Sequence, residues 1–212
     1  MSGITNLLGL KSPYQQVVTV AKSGGDFDTI QAAINSITDA ASDKIYTVLV
    51  YPGSYAGFNL KNYVDVVAVD PEATMIISEV SDNNHECHCY LSLNIASTSG
   101  NGLRTENAAT VVKVDGNVSS QSISAYCGDG TQIINGNIIS TWDNFNGHGV
   151  WISGGTFIMQ NGKIVCTHAD AKAIYAGSAK NVKLINVWGN RDLGANITNL
   201  ITGGFTYDPD VE

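Results

Sequence analysis

Asn135-Gly136-Asn137-Ile138-Ile139-Ser140-Thr141 recurs downstream as Asn161-Gly162-Lys163-Ile164-Val165-Cys166-Thr167, an offset of 26 residues. Two more pairs keep nearly the same interval. Gly149-Val150-Trp151-Ile152 returns as Ala173-Ile174-Tyr175-Ala176 at an offset of 24, and Gly128-Asp129-Gly130-Thr131-Gln132-Ile133 aligns with Ser153-Gly154-Gly155-Thr156-Phe157-Ile158 at 25. A period near 25, made of β-branched runs between Gly, Asn and Asp corners, is the size of one coil of a three-faced solenoid. One coil cannot bury its inward side chains alone, whereas stacked coils share a continuous apolar column. The spacing therefore predicts an all-β chain wound as a right-handed parallel β-helix, with Asn135 and Asn161 stacked at one corner. About four coils fit between residues 108 and 200.

Outward from the repeat, Tyr46 to Val50, Val64 to Val69 and Thr74 to Ser78 read as earlier strands. Pro52-Gly53-Ser54-Tyr55, Lys61-Asn62 and Asp70-Pro71 separate them as turns rather than tight hairpins. Before them, Ile30, Ala33, Ile34 and Ile37 fall at i, i+3, i+4 and i+7, the period of an amphipathic helix. Asp28 is the expected N-cap with Gln31 three residues on, and the helix should end near Asp39, its apolar face covering an open end of the solenoid. Val17 to Val20 is a short strand. Residues 1–16 read as an N-terminal arm or docking segment, and 17–212 as one β-helix domain. Residues 79–107 break the period, being rich in Asn, Ser, Thr and Gly around Tyr90 to Ile95, and are expected to leave the coil as an excursion. The tail from Gly203 is acidic and expected to be exposed.

Composition narrows the function classes. Eleven basic and nineteen acidic residues leave a net charge of −8, and no Lys/Arg cluster interrupts it, which argues against nucleic acid as a partner. Apolar runs fall short of the roughly 18 residues of a membrane span, so no membrane insertion is expected. Met1 to Leu10 lacks the basic, apolar and small-residue regions of a secretory signal. The four cysteines, at 87, 89, 127 and 166, are expected to be mostly reduced, since a Cys87–Cys89 bridge would be cramped.

The stretch Gly24-Gly25-Asp26-Phe27-Asp28-Thr29-Ile30-Gln31-Ala32-Ala33-Ile34, with Val48-Leu49-Val50-Tyr51-Pro52-Gly53-Ser54-Tyr55, resembles the opening of the pectin lyase-like superfamily. That superfamily includes pectin methylesterases, polysaccharide lyases and many bacteriophage tailspikes. The resemblance covers roughly residues 17–78 and implies a helix capping a right-handed parallel β-helix. It also implies association as a homotrimer. The methylesterase site would need a Gln-Asp-Thr and an Asp-Phe-Ile-Phe-Gly segment, and neither occurs in this sequence, so no catalytic residue carries over.

Three constellations remain. Asp143 and Asp170 lie 27 residues apart, close to the period, and neighbouring coils sit about 4.8 Å apart, so they are the candidate catalytic carboxylate pair, set against solvated corner residues. His85, Cys87 and Cys89 alternate along His85-Glu86-Cys87-His88-Cys89 and are candidate metal ligands, set against a polar loop with partly buried thiols. Trp142, Trp151 and Tyr175, with Phe145 and Trp188, are candidate glycan-stacking residues, set against core or interface packing. No cofactor is expected. The resulting reading is a non-catalytic structural or adhesive component of a phage virion, tailspike-like or a head or tail decoration, that contacts cell-surface glycans and meets other virion proteins through its arm. The alternatives are a polysaccharide-processing hydrolase, lyase or esterase, acting extracellularly, and a carbohydrate-binding module.

Overall fold

The computed structural model describes residues 16–143, 147–176, 180–194, 197–198 and 205–207. Almost all of the arm at 1–16 and most of the acidic tail lie outside these residues.

The chain winds as a right-handed parallel β-helix with three faces. The first face carries Val17–Val20, Tyr46–Val50, Val64–Ala68, His88–Ser92, Val111–Asp115 and Thr131–Asn135 in spatial order, followed by the first halves of Thr156–Cys166 and Lys180–Gly189. The second carries Gly53–Tyr55, Thr74–Ile76, Asn94–Ser97, Val118–Ser120 and Ile138–Ser140, followed by the second halves of the same two long strands. The third carries Val80–Ser81, Leu103–Thr105, Ala125–Cys127, Val150–Ile152 and Ile174–Ala176. Among the described strands every ladder is parallel, and side chains alternate between core and surface along the first face, so that Val48, Val66, Leu91, Val114, Ile134 and Met159 stack inward as one buried column. Burying an aliphatic side chain of this size is worth about 1.5–3 kcal/mol.

The repeat predicted from sequence is the register of the structure. Ile138 pairs with Ile164, Val150 with Ile174 and Thr131 with Thr156. Coil length is less constant than 25, however: Tyr46 pairs with Val64, 18 residues on, and Val111 with Thr131, 20 on. The strands hold their register while the corners absorb the difference.

Three expectations are corrected. Residues 79–107 are no excursion: Val80–Ser81, His88–Ser92, Asn94–Ser97 and Leu103–Thr105 occupy all three faces, with His88 paired to Val111 and Ile95 to Val118. The polar residues that broke the pattern are its corners, including left-handed Asn83 and Asn84. The helix is shorter than expected, Ile30–Ser36, and its N-cap is Thr29, whose Oγ1 accepts the Ala32 N–H at 3.3 Å, in place of Asp28. Its apolar face is as read: Ile30, Ala33, Ile34 and Ile37 are buried where the helix closes the end of the coil against Val17–Val20 and Tyr46–Val50. Lastly, Asn135 pairs with Gln160 instead of Asn161, which is an extra residue at left-handed φ 55 facing Asn186 at φ 52.

The stacked corner amides lie two residues further on. Asn94 Oδ1 accepts the Asn117 N–H at 2.8 Å, Asn117 Oδ1 that of Asn137 at 3.0 Å, and Asn137 Oδ1 that of Lys163 at 3.0 Å. Beside this ladder run Gly116, Gly136 and Gly162, where each coil presses on the one before: a Cβ on Gly136 would sit 2.2 Å from the Gly116 carbonyl oxygen.

Candidate functional site

On the third face each three-residue strand buries its ends and turns its middle residue outward. Register then aligns Ser81, Arg104, Tyr126, Trp151 and Tyr175 in one row, and a bridge from Ser81 to Asn59 extends it to the coil nearest the cap. Five steps of about 4.8 Å make the row about 24 Å long.

Its chemistry changes along its length. At one end Trp151 and Tyr175 pack with ring centres 4.8 Å apart at 57°. The buried His148 lies flat on Tyr175, 4.7 Å away at 5°, and 5.7 Å from Trp151. His148 Nδ1 accepts a hydrogen bond from the Lys172 backbone N–H at 2.9 Å, and burial first, then the Lys172 charge, holds its pKa below the ordinary 6.5. Next comes Tyr126, whose hydroxyl is 3.3 Å from Ser153 Oγ and whose carbonyl accepts from the buried Gln132 amide at 2.8 Å. The Arg104 guanidinium stands 5.7 Å from the Tyr126 ring centre, bonded to Glu106 and 3.8 Å from Glu79. Beyond Arg104 the row enters a surface hollow of about 430 Å³ lined by Gln31, Asn59, Ser78, Glu79, Ser81 and Ser99.

Half-buried aromatic faces beside fixed hydrogen-bonding groups suit a sugar ring, whose C–H face packs on the π-system while its hydroxyls bond the rim. Of the residues singled out in the sequence, the structure brings Trp151 and Tyr175 together here. Trp142 follows the second-face strand Ile138–Ser140 and has no ring contact among the described residues; Trp188, 45% exposed, is on the second face, and Phe145 lies outside the described residues. Arg104, Tyr126 and His148 were missed. Tyr126 was within reach of the repeat, standing 25 residues before Trp151 as Trp151 stands 24 before Tyr175.

The other two constellations are not assembled. Asp143 and Asp170 are both exposed, beyond the ends of their paired strands at Ser140 and Cys166, and neither carboxylate has a partner among the described residues. Cys87 and Cys89 point into the core while His85 is exposed, its Nδ1 turned to the Asn83 carbonyl at 2.7 Å. Strand alternation begins only at His88, so it never carries His85 to the side of the thiols. Among the described residues no group of three His, Cys, Asp or Glu side chains is placed to hold a metal ion.

The carboxylates that do share an outward face are Asp65 and Asp115, on the first face with Tyr90 between them. Tyr90 donates its N–H to Asp65 at 2.8 Å and its hydroxyl to Asp115 at 2.6 Å. Burial raises the Asp65 carboxyl above the ordinary range. Burial also opposes ionisation at Asp115, but the bonds from Tyr90 and from Asn135 at 3.0 Å outweigh it and hold that carboxyl low.

No family model matches the chain, and no curated protein matches it in sequence. Among solved structures it is similar to pectin methylesterase PemA from Erwinia chrysanthemi, with a TM-score of 0.51 and 13% identity over 92% of this chain and 70% of that one. At that identity the likeness is one of fold, the parallel β-helix. No helix among the described residues is long and apolar enough to cross a membrane.

Proposed function

We propose that this chain is a non-catalytic, glycan-contacting β-helix carried on a phage particle. The row Arg104, Tyr126, Trp151, Tyr175 on the third face is the observation that carries the reading: three aromatic side chains in register on successive coils, with a cation at one end. Glu79 and Glu106 offset Arg104, and the chain as a whole carries −8, so neutral glycans suit the row better than polyanionic ones. The virion setting, a homotrimeric assembly and docking through residues 1–16 are the finer parts of the proposal, supported by the resemblance of residues 17–78 to a superfamily that includes tailspikes. Glycan-array binding by the wild type, reduced at least tenfold in Trp151→Ala at unchanged melting temperature, is the expected result. An array on which both proteins behave alike sinks the glycan reading. Mass spectrometry of purified virions tests the setting, and light scattering tests the trimer.

Asp65 and Asp115 favour a second reading, polysaccharide processing, because one carboxyl held high and one held low on the same face match an acid and a base. Depolymerase activity abolished in both Asp65→Asn and Asp115→Asn would establish it over the first.

A further inference from the structure

Resting on the glycan reading of the third face, we infer that the row is a track closed at one end, which reads the terminus of a neutral glycan chain and not its interior. The closed end is built by the capping helix. Gln31 lines the hollow beside Asn59 and is held there at both ends of its amide: Oε1 accepts the Asn59 N–H at 2.7 Å and Nε2 donates to Asn35 Oδ1 at 2.9 Å. A saccharide lying on Tyr175, Trp151 and Tyr126 and running past Arg104 therefore reaches the tethered Gln31 amide after Ser81 and Asn59.

The hollow before that amide has the chemistry of a chain end. Ser78 Oγ accepts the Gly57 N–H at 2.7 Å and Ser81 Oγ that of Asn83 at 2.9 Å, so both hydroxyl protons stay free to donate. Ser99 has no side-chain partner among the described residues and is exposed. Glu79 takes one bond from Asn101 at 3.0 Å and stands 3.8 Å from Arg104, which leaves lone pairs facing the hollow. A terminal sugar keeps a hydroxyl that an interior sugar has spent on its linkage, and such a rim of donors and acceptors can bond it. The carboxylate of Glu79 in the same space disfavours an acidic terminal residue. A volume of about 430 Å³ lies within the range of small-ligand sites. The aromatic end then supplies stacking area and the polar end supplies direction.

The test uses the full chain on an array of linear neutral oligosaccharides, each printed twice, once tethered through its reducing end and once through its non-reducing end. The expected result is capture from one tether only, by at least tenfold, with Ser99→Trp, which fills the hollow from an exposed position, lowering that capture at least tenfold at unchanged melting temperature. Equal capture from both tethers overturns the chain-end inference even if Trp151→Ala still abolishes binding, in which case the glycan platform stands alone. Undiminished capture by a folded Ser99→Trp overturns it likewise. No capture from either tether by the wild type overturns the inference and the platform together. The tether comparison needs no variant, so a misfolded Ser99→Trp does not remove the test.

Discussion

Asp82 is a buried carboxylate, 1% exposed, at a corner between the third and first faces. Its oxygens accept N–H bonds from Asn84 at 3.1 Å, from Glu106 at 3.0 and 2.9 Å, and from Asn107 at 2.9 Å, so one side chain terminates its own turn and the turn of the next coil. Buried backbone donors left without an acceptor cost about 1–3 kcal/mol each. Asp82→Ala is therefore expected to destabilise by about 3 kcal/mol or more, and Asp82→Asn by less, in urea titrations. Equal midpoints for wild type and Asp82→Ala would show that water replaces the carboxylate. His148 gives a pH dependence of defined sign. Its folded pKa lies below the ordinary 6.5, so the unfolded chain takes up a proton that the folded one refuses; the neutral ring's contribution is complete above about 6.5 and is lost as pH falls from there toward the folded value. Lys172, Trp151 and Tyr175 face the ring. The melting temperature of the wild type should drop between pH 7.5 and 5.5 by more than that of His148→Gln, which keeps an acceptor for the Lys172 N–H. Parallel curves would remove His148 as the source.

At the scale of the element, the corner between the first and second faces is a chain of amides, and its links are separable. Asn117→Ala removes the acceptor for the Asn137 N–H, at an expected cost of about 1–3 kcal/mol. Gly136→Ala should cost more, about 3 kcal/mol, because its Cβ meets the Gly116 carbonyl and a φ of 151 disfavours side chains. Thermal melts check both, and a Gly136→Ala protein as stable as the wild type would mean that the coils can separate freely there. The sequence displayed this corner only in part. Asn135-Gly136-Asn137 and Asn161-Gly162-Lys163 showed the repeat, but the extra residue Asn161 shifted the alignment by one, and the ladder residue of the later coil is a lysine that bonds through its backbone. The 79–107 coil was hidden for a related reason: Leu93-Asn94 stands where later coils have Gly-Asn, so identity failed although hydrogen bonding did not. The aromatic row was half visible, as matching by residue type finds Trp151 with Tyr175 and passes over Arg104, which only register aligns with Tyr126.

The whole molecule keeps its four thiols inside, unpaired. Burial pushes Cys87 up to about 12 and Cys127 and Cys166 to about 11, and raises Cys89 as well. None should react with an aromatic disulfide reagent at pH 8 in the native state, and four equivalents should react in denaturant. Rapid native reaction would mean that the core opens. A chelator should leave the melting temperature unchanged, and a fall of several degrees would restore His85, Cys87 and Cys89 as a metal site. Register held constant while coil length varies also has a mechanical consequence. Each coil grips only its two neighbours, so a rod pulled by its ends peels instead of shearing, one turn per rupture. A 25-residue turn such as Thr156 to Lys180 would then pay out about 8 nm of chain, and the 20-residue turn from Val111 to Gly130 about 7 nm, giving a force–extension trace whose step lengths spell out the order of the coils.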